Sequence, residues 1–88
     1  MAIEYDVAKA VANAEKHGVT FEEAASALLD PLALVKEDLD AESEPRWVLL
    51  GMSAQGRLLV VVYTLRDEDT VRIISARRAN RSETKAYA

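Results

Sequence analysis

The side chains best suited to chemistry in this sequence are a set of arginines in its second half. They lie in or beside segments that predict strands or the start of the last helix: Arg57, Arg66, Arg72, Arg77, Arg78 and Arg81. A guanidinium group grips a phosphate through two parallel hydrogen bonds, so the set indicates a phosphate-bearing partner. The alternative is that these arginines pair with carboxylates or only solubilise the sheet, because exposed charge is common.

The charge of the chain separates into an acidic and a basic half. Residues 1–44 carry three basic and eleven acidic side chains, net −8, whereas residues 45–88 carry eight basic and four acidic ones, net +4. This asymmetry predicts an electropositive working surface on an acidic body. The alternative is two solvated surfaces without a function.

Two further side chains have both a chemical and a structural interpretation. His17 ends a predicted helix, where the helix dipole favours its charged form, so it could transfer a proton, bind phosphate or only end the helix. Tyr87 follows Glu83 by one helical turn and could pack the last helix or stack on a nucleotide.

Several kinds of site are excluded or weakly indicated. With no cysteine and one histidine, the chain lacks the ligands of an ordinary zinc site, and its three glycines fall in separate turns rather than in a phosphate-binding loop. The acidic segment Glu37–Glu44 could attract Mg²⁺ or Ca²⁺ but lacks the spacing of a calcium loop. No nucleophile elbow surrounds a serine. We therefore predict no metal site and no cofactor.

Two helices are predicted near the start of the chain. Asp6 is a suitable N-cap for a helix over Val7–Lys16, and Gly18 supplies the left-handed residue that ends it. Thr20–Glu23 has the form of a capping box, and the helix it opens should stop at Asp30-Pro31.

The rest of the chain predicts mainly strands. A short extended segment, Ile3–Tyr5, precedes the helices, and Asn80 opens a last helix to Tyr87 with a second capping box. Four runs predict a meander of strands around an acidic loop at Glu37–Pro45: Leu32–Lys36, Trp47–Gly51, Leu58–Thr64 and Val71–Ala76. We expect one α+β domain over residues 1–88, with two N-terminal helices and a C-terminal helix on a four-stranded, mostly antiparallel sheet.

Alternation along the last predicted strand decides which arginine can face a ligand. It puts Val71, Ile73, Ser75 and Arg77 on one face and Arg72, Ile74 and Ala76 on the other. Because Arg77 and Arg78 are consecutive, only one of them can point away from the helices.

The first residues and the apolar runs predict a soluble, cytoplasmic protein. Met1–Asp6 has no apolar leader segment, and the longest apolar run, Leu58–Tyr63, is far shorter than the ~20 residues of a membrane helix.

Taken together, the motifs resemble the BrnT-type toxins. The resemblance spans nearly the whole chain in order and spacing: Lys9, Asn13, Lys16–Val19, Phe21–Ala24, Asp30-Pro31, Glu44-x-Arg46, Gly51, Gly56-Arg57, residues 61–64, Arg66, Arg72–Arg77, Glu83 and Tyr87. It implies a ribonuclease toxin of a type II toxin–antitoxin system with a RelE-like fold. It also implies a BrnA-type ribbon-helix-helix antitoxin as partner, a heterotetrameric complex, and contact with DNA only through the antitoxin. The acidic net charge departs from the basic character general among RelE-like nucleases.

Metal-free RNA cleavage needs a base, an acid and cations for the phosphorane charge. Carried over by position, the resemblance suggests Arg66 and Arg77 as transition-state cations, and Glu83, His17 and Lys9 as proton-transfer or positioning groups. The RNA-binding candidates are Arg57, Arg72, Arg78, Arg81 and Tyr87. The alternative function is a non-catalytic module that binds the antitoxin and tunes operon repression.

Overall fold

The computed structural model describes residues 1–42 and 44–88, so Ser43 of the predicted acidic loop lies outside the described residues. Three helices and five strands follow one another along the chain. They are β1 (Ala2–Glu4), α1 (Val7–His17), α2 (Phe21–Ala27), β2 (Leu34–Asp38), β3 (Arg46–Met52), β4 (Leu58–Leu65), β5 (Thr70–Arg78) and α3 (Arg81–Tyr87).

The predicted signals at the ends of the helices are largely confirmed. The Asp6 side chain accepts hydrogen bonds from two amides of the first turn of α1, and Gly18 ends the helix with a φ of 69°. The Thr20 hydroxyl caps α2 by accepting from the amide of Glu23. The returning half of the predicted capping box differs, because the Glu23 carboxylate binds Arg57 and not the backbone of Thr20. α2 ends at Ala27, before Asp30-Pro31.

The sheet contains one strand more than predicted. Its order is β1-β5-β4-β3-β2, in which β2 to β5 form the expected antiparallel meander. The extra strand, β1, pairs in parallel with β5 and brings Ile3 beside Val71. A three-residue strand is too short for the alternation of its side chains to show that it joins a sheet. The prediction of a four-stranded sheet is therefore wrong, because it leaves out this edge strand.

A β-bulge interrupts β5 in its middle. β4 pairs Val62 with Ser75 but its next residue, Tyr63, with Ile73, so Ile74 is an extra residue on β5. A bulge of this kind shifts the phase of the side chains on the strand that carries it.

The bulge reverses the predicted alternation in the second half of β5. The residues of this strand that are buried against α1 and α2 are Val71, Ile73 and Ala76. Arg72, Ser75 and Arg77 share the opposite face, since their partners on β4 are three alternating residues. The predicted grouping of Val71 and Ile73 with Ser75 and Arg77 is therefore wrong, because alternation by twos holds only along an unbroken ladder.

The core lies between the sheet and the two N-terminal helices. It is formed by Val19, Phe21, Ala24, Ala27, Leu59, Val61, Ile73 and Ala76. β3 approaches α2 so closely that a Cβ at Gly51 would lie 2.8 Å from the carbonyl oxygen of Ala27, which explains the glycine at this position. Among the described residues, no helix has the length and hydropathy needed to cross a membrane.

Candidate active site on the α3 face

An ion pair between Arg77 and Glu83 lies on the sheet face opposite α1 and α2. We call this face the α3 face; it carries Lys36, Val48, Leu50, Val60, Arg72 and Arg77, with α3 against it. Arg77 donates from Nη1 to Oε1 of Glu83 at 2.9 Å and from Nη2 to Oε2 at 2.8 Å. Glu83 Oε1 also accepts from the backbone N–H of Asn80 at 2.8 Å, completing the predicted capping box of α3. The first turn of α3 therefore fixes this carboxylate over β5.

The electrostatics of the pair keep the carboxylate ionised. The hydrogen bonds from Arg77 lower the pKa of Glu83 from 4.5 to about 2, assisted by the Asn80 amide. The same pairing raises the pKa of Arg77. A phosphate that draws Arg77 to itself would remove the largest cause of the lowered pKa, so a bound substrate would make Glu83 a stronger base.

The lowered pKa of Glu83 predicts how the docking of α3 depends on pH. Because the pKa in the folded state lies below the ordinary value of 4.5, the stabilisation is complete above pH 4.5 and is lost as pH falls through about 2. We expect the Glu83 carboxyl carbon to titrate near pH 2 by NMR, with the protection of the α3 amides, relative to their intrinsic exchange rate at each pH, decreasing below pH 4.5. In Glu83→Gln, amide exchange in α3 should be faster at pH 7 and lose this acid-dependent component. A Glu83 midpoint near 4.5 would contradict the ion pair.

A cavity of about 250 Å³ opens beside Glu83, between α3 and the sheet. Its walls are largely apolar, with Leu34, Val48, Leu50 and Val60 among them, and Lys36 lines it as a cation. Lys36 contributes a smaller part of the lowered pKa of Glu83. Sequence reasoning missed Lys36 as a site residue. Its β3 neighbour across the ladder is Val48, a pairing that the sequence does not reveal.

Tyr87 anchors the other end of α3. Its hydroxyl donates to Oδ2 of Asp30 at 2.6 Å, and the Asp30 carboxylate also accepts from the backbone amides of Met52 and Leu32. These hydrogen bonds, that from Met52 first, lower the pKa of Asp30, while Asp30 raises the pKa of Tyr87. Tyr87 thus holds α3 to the loop that follows α2.

A second group of arginines lies at the opposite end of β5. Arg66 donates to Oε1 of Glu4 at 2.8 Å, and both side chains are about half exposed. Arg72 pairs across the sheet with Glu4 on one side and Thr64 on the other. Arg72 and Arg77 pair with Thr64 and Val60, which are four positions apart on β4, so the two arginines lie about 13 Å apart along the strand. The arginines therefore mark two points on one face.

Arg57 is engaged on the helical side of the molecule. It donates from Nε to Oε2 of Glu23 at 2.9 Å, pairs through Nη2 with the other carboxylate oxygen, and reaches the carbonyl of Gly18. The Ser53 hydroxyl donates to the same carboxylate at 2.8 Å. These contacts, that with Arg57 first, lower the pKa of Glu23, with a small contribution from Arg78. The cluster ties the β3–β4 turn to α2 and lies apart from the α3 face.

α1 carries the two remaining proton-transfer candidates and, between them, a buried asparagine. Lys9 is exposed and His17 half-buried, and Asn13 lies one helical turn from each and is buried. Asn13 donates to the carbonyl of Ala76 at 2.8 Å and accepts from its amide at 3.1 Å. The side-chain amide thus replaces a strand neighbour at the edge of β5 beyond β1. Among the described residues, the side-chain contacts of Arg77 and Glu83 include neither Lys9 nor His17.

Two observations complete the site. Arg81 is exposed at the first position of α3. Within residues 1–42 and 44–88, no group of three histidine, aspartate or glutamate side chains is placed to hold a metal ion.

Comparison with known proteins identifies the family. A family model described as the ribonuclease toxin BrnT of type II toxin–antitoxin systems matches residues 5–83. The crystal structure of the Brucella abortus ribonuclease toxin, BrnT, superposes with a TM-score of 0.71 at 23% identity, covering 92% of this chain and 99% of that one. A search of curated proteins finds no sequence match. The shared fold and the family match over nearly the whole length show that this chain belongs to the BrnT family, the ribonuclease toxins of type II toxin–antitoxin systems.

Proposed function

We propose that the chain is a metal-independent endoribonuclease that blocks translation in the cytoplasm, with RNA lying along β5 on the α3 face. The observation that carries the proposal is the bulge at Ile74, which puts Arg72 and Arg77 on one face beneath the ionised Glu83. Arginine forks at separated points suit a chain of phosphates.

Three groups at one end of this face match the three tasks of the reaction. Glu83 accepts the proton of a ribose 2′-hydroxyl, whose oxygen then attacks the adjacent phosphorus. Arg77 stabilises the charge that develops on the phosphorane oxygens. Lys36 donates a proton to the departing 5′-oxygen as its bond to phosphorus breaks. The products are a 2′,3′-cyclic phosphate and a 5′-hydroxyl.

The other predicted residues take supporting places. Arg66 and Arg72 grip phosphates further along the strand, and exposed Arg81 flanks the site at the start of α3. We give no chemical step to Lys9 and His17, because neither contacts Arg77 or Glu83. Arg57, Arg78 and Tyr87 remain candidates for RNA contact by resemblance alone, and the contacts of Arg57 and Tyr87 support structural roles.

The partner follows from the family. Type II systems pair a toxin with an antitoxin, and we propose that the antitoxin here is BrnA-type, with a ribbon-helix-helix part that binds DNA. The complex would be a heterotetramer that represses its own operon, and the toxin would contact DNA only through it.

One observation favours the second candidate, a non-catalytic module that binds the antitoxin. Three arginines of the predicted site are paired with carboxylates, Arg57 with Glu23, Arg66 with Glu4 and Arg77 with Glu83, and the chain as a whole carries a net charge of −4. RNA must displace at least the last of these pairs to be cleaved.

Incubating the purified chain with messenger RNA in excess EDTA tests the proposal. We expect cleavage at the same rate as with Mg²⁺, and fragments that end in 2′,3′-cyclic phosphate. Induction in bacteria should stop protein synthesis. Cleavage abolished by EDTA would refute metal independence, and intact RNA together with unimpaired growth would leave the binding module.

A further inference from the structure

The outer edge of β2 is the least covered part of the sheet. β2 ends the strand order and pairs only with β3, so alternate residues direct backbone N–H and C=O groups away from the sheet. Apolar side chains are unusually exposed on and around it, at Leu29, Leu32, Leu34, Val35 and Leu39. An exposed edge that also carries apolar side chains is a template for an added strand.

Apolar contact is available on both faces of this edge. Leu34 is 48% exposed and Val35 is 50% exposed, and both border the cavity beside Glu83. By its pairing with Leu49, Val35 belongs to the face opposite that of Leu34. Exposure of neighbouring residues on both faces means that a strand laid along β2 would bury apolar surface above and below the sheet.

The charge beyond β2 indicates the chemistry of the occupant. A second cavity, of about 240 Å³, is lined by Leu39 and by carboxylates: Glu37, Asp38, Glu42 and Glu44. Across residues 1–42 and 44–88, none of the three ion pairs involves these acids, and the cation nearest to them in the register is Arg46, opposite Asp38. A segment that alternates apolar and basic side chains would complement both the edge and the cavity.

A second copy of the chain fits this edge less well. The two-fold antiparallel register that pairs all five residues of β2 sets Lys36 opposite Lys36, which like-charge repulsion disfavours. The N-terminal half of a second copy is itself acidic, so this pairing would also bring no cation to the acidic cavity.

We propose that the outer edge of β2, together with the acidic cavity beside Leu39, binds an extended apolar and basic segment of the antitoxin as a sixth strand. The proposal rests on the toxin–antitoxin role of the family. It also explains how the antitoxin would inhibit RNA cleavage, because a strand on β2 would place side chains over Leu34 and Lys36 at the mouth of the candidate active site.

The test uses the full chain and the antitoxin purified from the same operon. Leu39→Lys with Glu42→Lys removes an exposed apolar group and reverses one acid, and the matched control, Val11→Lys with Glu15→Lys, makes the same changes on α1. We expect the β2 double variant to weaken antitoxin binding at least ~100-fold and the control less than ~3-fold by titration calorimetry. In the wild-type complex, amide exchange in β2 should slow at least ~10-fold.

Three outcomes would overturn the proposal: equal affinities of the two double variants, unprotected β2 amides in the complex, or β2 protection by self-association without antitoxin. RNA cleavage by each variant alone is measured in parallel. Neither double variant touches the proposed catalytic residues. If the wild-type chain and the control variant bind the antitoxin but cleave no RNA, while the β2 double variant no longer binds it, the docking proposal stands and the nuclease is refuted.

Discussion

Replacing Arg77 by alanine is expected to reduce the kcat of RNA cleavage by about 10²–10³, the usual effect of removing a group that stabilises transition-state charge. The fork of Arg77 makes two hydrogen bonds to Glu83 before RNA arrives, and it exchanges them for contacts with the phosphate when RNA binds. Arg77→Lys keeps the charge but loses the fork and should recover only part of the rate. Single-turnover cleavage of a short RNA at saturating enzyme measures the effect.

Two comparisons separate chemistry from general charge and from the docking of α3. Lys85→Ala removes an exposed cation of α3 and should leave kcat within about two-fold. Its largest expected effect is a weaker dependence of RNA binding on salt concentration. Arg72→Ala should weaken RNA binding more than it lowers kcat, because a phosphate grip acts on ground and transition states alike. Unchanged cleavage by Arg77→Ala would remove this residue from the reaction.

Local signals made the helices predictable from the sequence. Each capping residue contacts a neighbour only a few residues away, so the residue type predicts where a helix begins or ends. These residues are Asp6, Gly18, Thr20 and Asn80. The antiparallel order of β3, β4 and β5 was predictable for the same reason, since these strands are joined by short turns.

Features that depend on distant pairing were not predictable. The bulge at Ile74 exists only in the alignment of β5 with β4, and β1 becomes a strand only beside β5. Glu23 fits a capping box by its spacing, yet a buried position near Arg57, 34 residues away, offers it a stronger partner. Lys36 reaches the candidate site through the same kind of non-local contact.

These pairings also explain how far the candidate site was predictable. The residue types predict phosphate chemistry, which stays a prediction. Arg77 and Glu83 were both among the expected residues, and the structure brings them together. The grouping of the arginines on one surface was not predictable, because side chains from the same half of the sequence can lie on opposite faces of one sheet. The Arg57–Glu23 cluster and the Arg77–Glu83 pair lie on opposite faces for this reason.

Asn13→Leu is expected to destabilise the fold more than any surface substitution. The variant keeps a similar shape but leaves three backbone groups without their partner: the amide and carbonyl of Ala76 and the carbonyl of Val19. Each buried group left unpaired costs about 1–3 kcal/mol, so the total is of the order of 3 kcal/mol or more. A domain of this size has an unfolding free energy of only about 5–13 kcal/mol, so the fraction unfolded should rise steeply.

Urea denaturation followed by circular dichroism measures this loss, with Ala12→Leu as the matched control. Ala12 is exposed on α1 beside Asn13, so adding the same side chain there should change the unfolding free energy by less than about 0.5 kcal/mol. Exchange of the Ala76 amide should accelerate in Asn13→Leu before the rest of β5 opens, because that amide loses its acceptor directly. If Asn13→Leu is as stable as the parent chain, the asparagine does not act as the missing strand neighbour, and the edge of β5 beyond β1 must be satisfied by water.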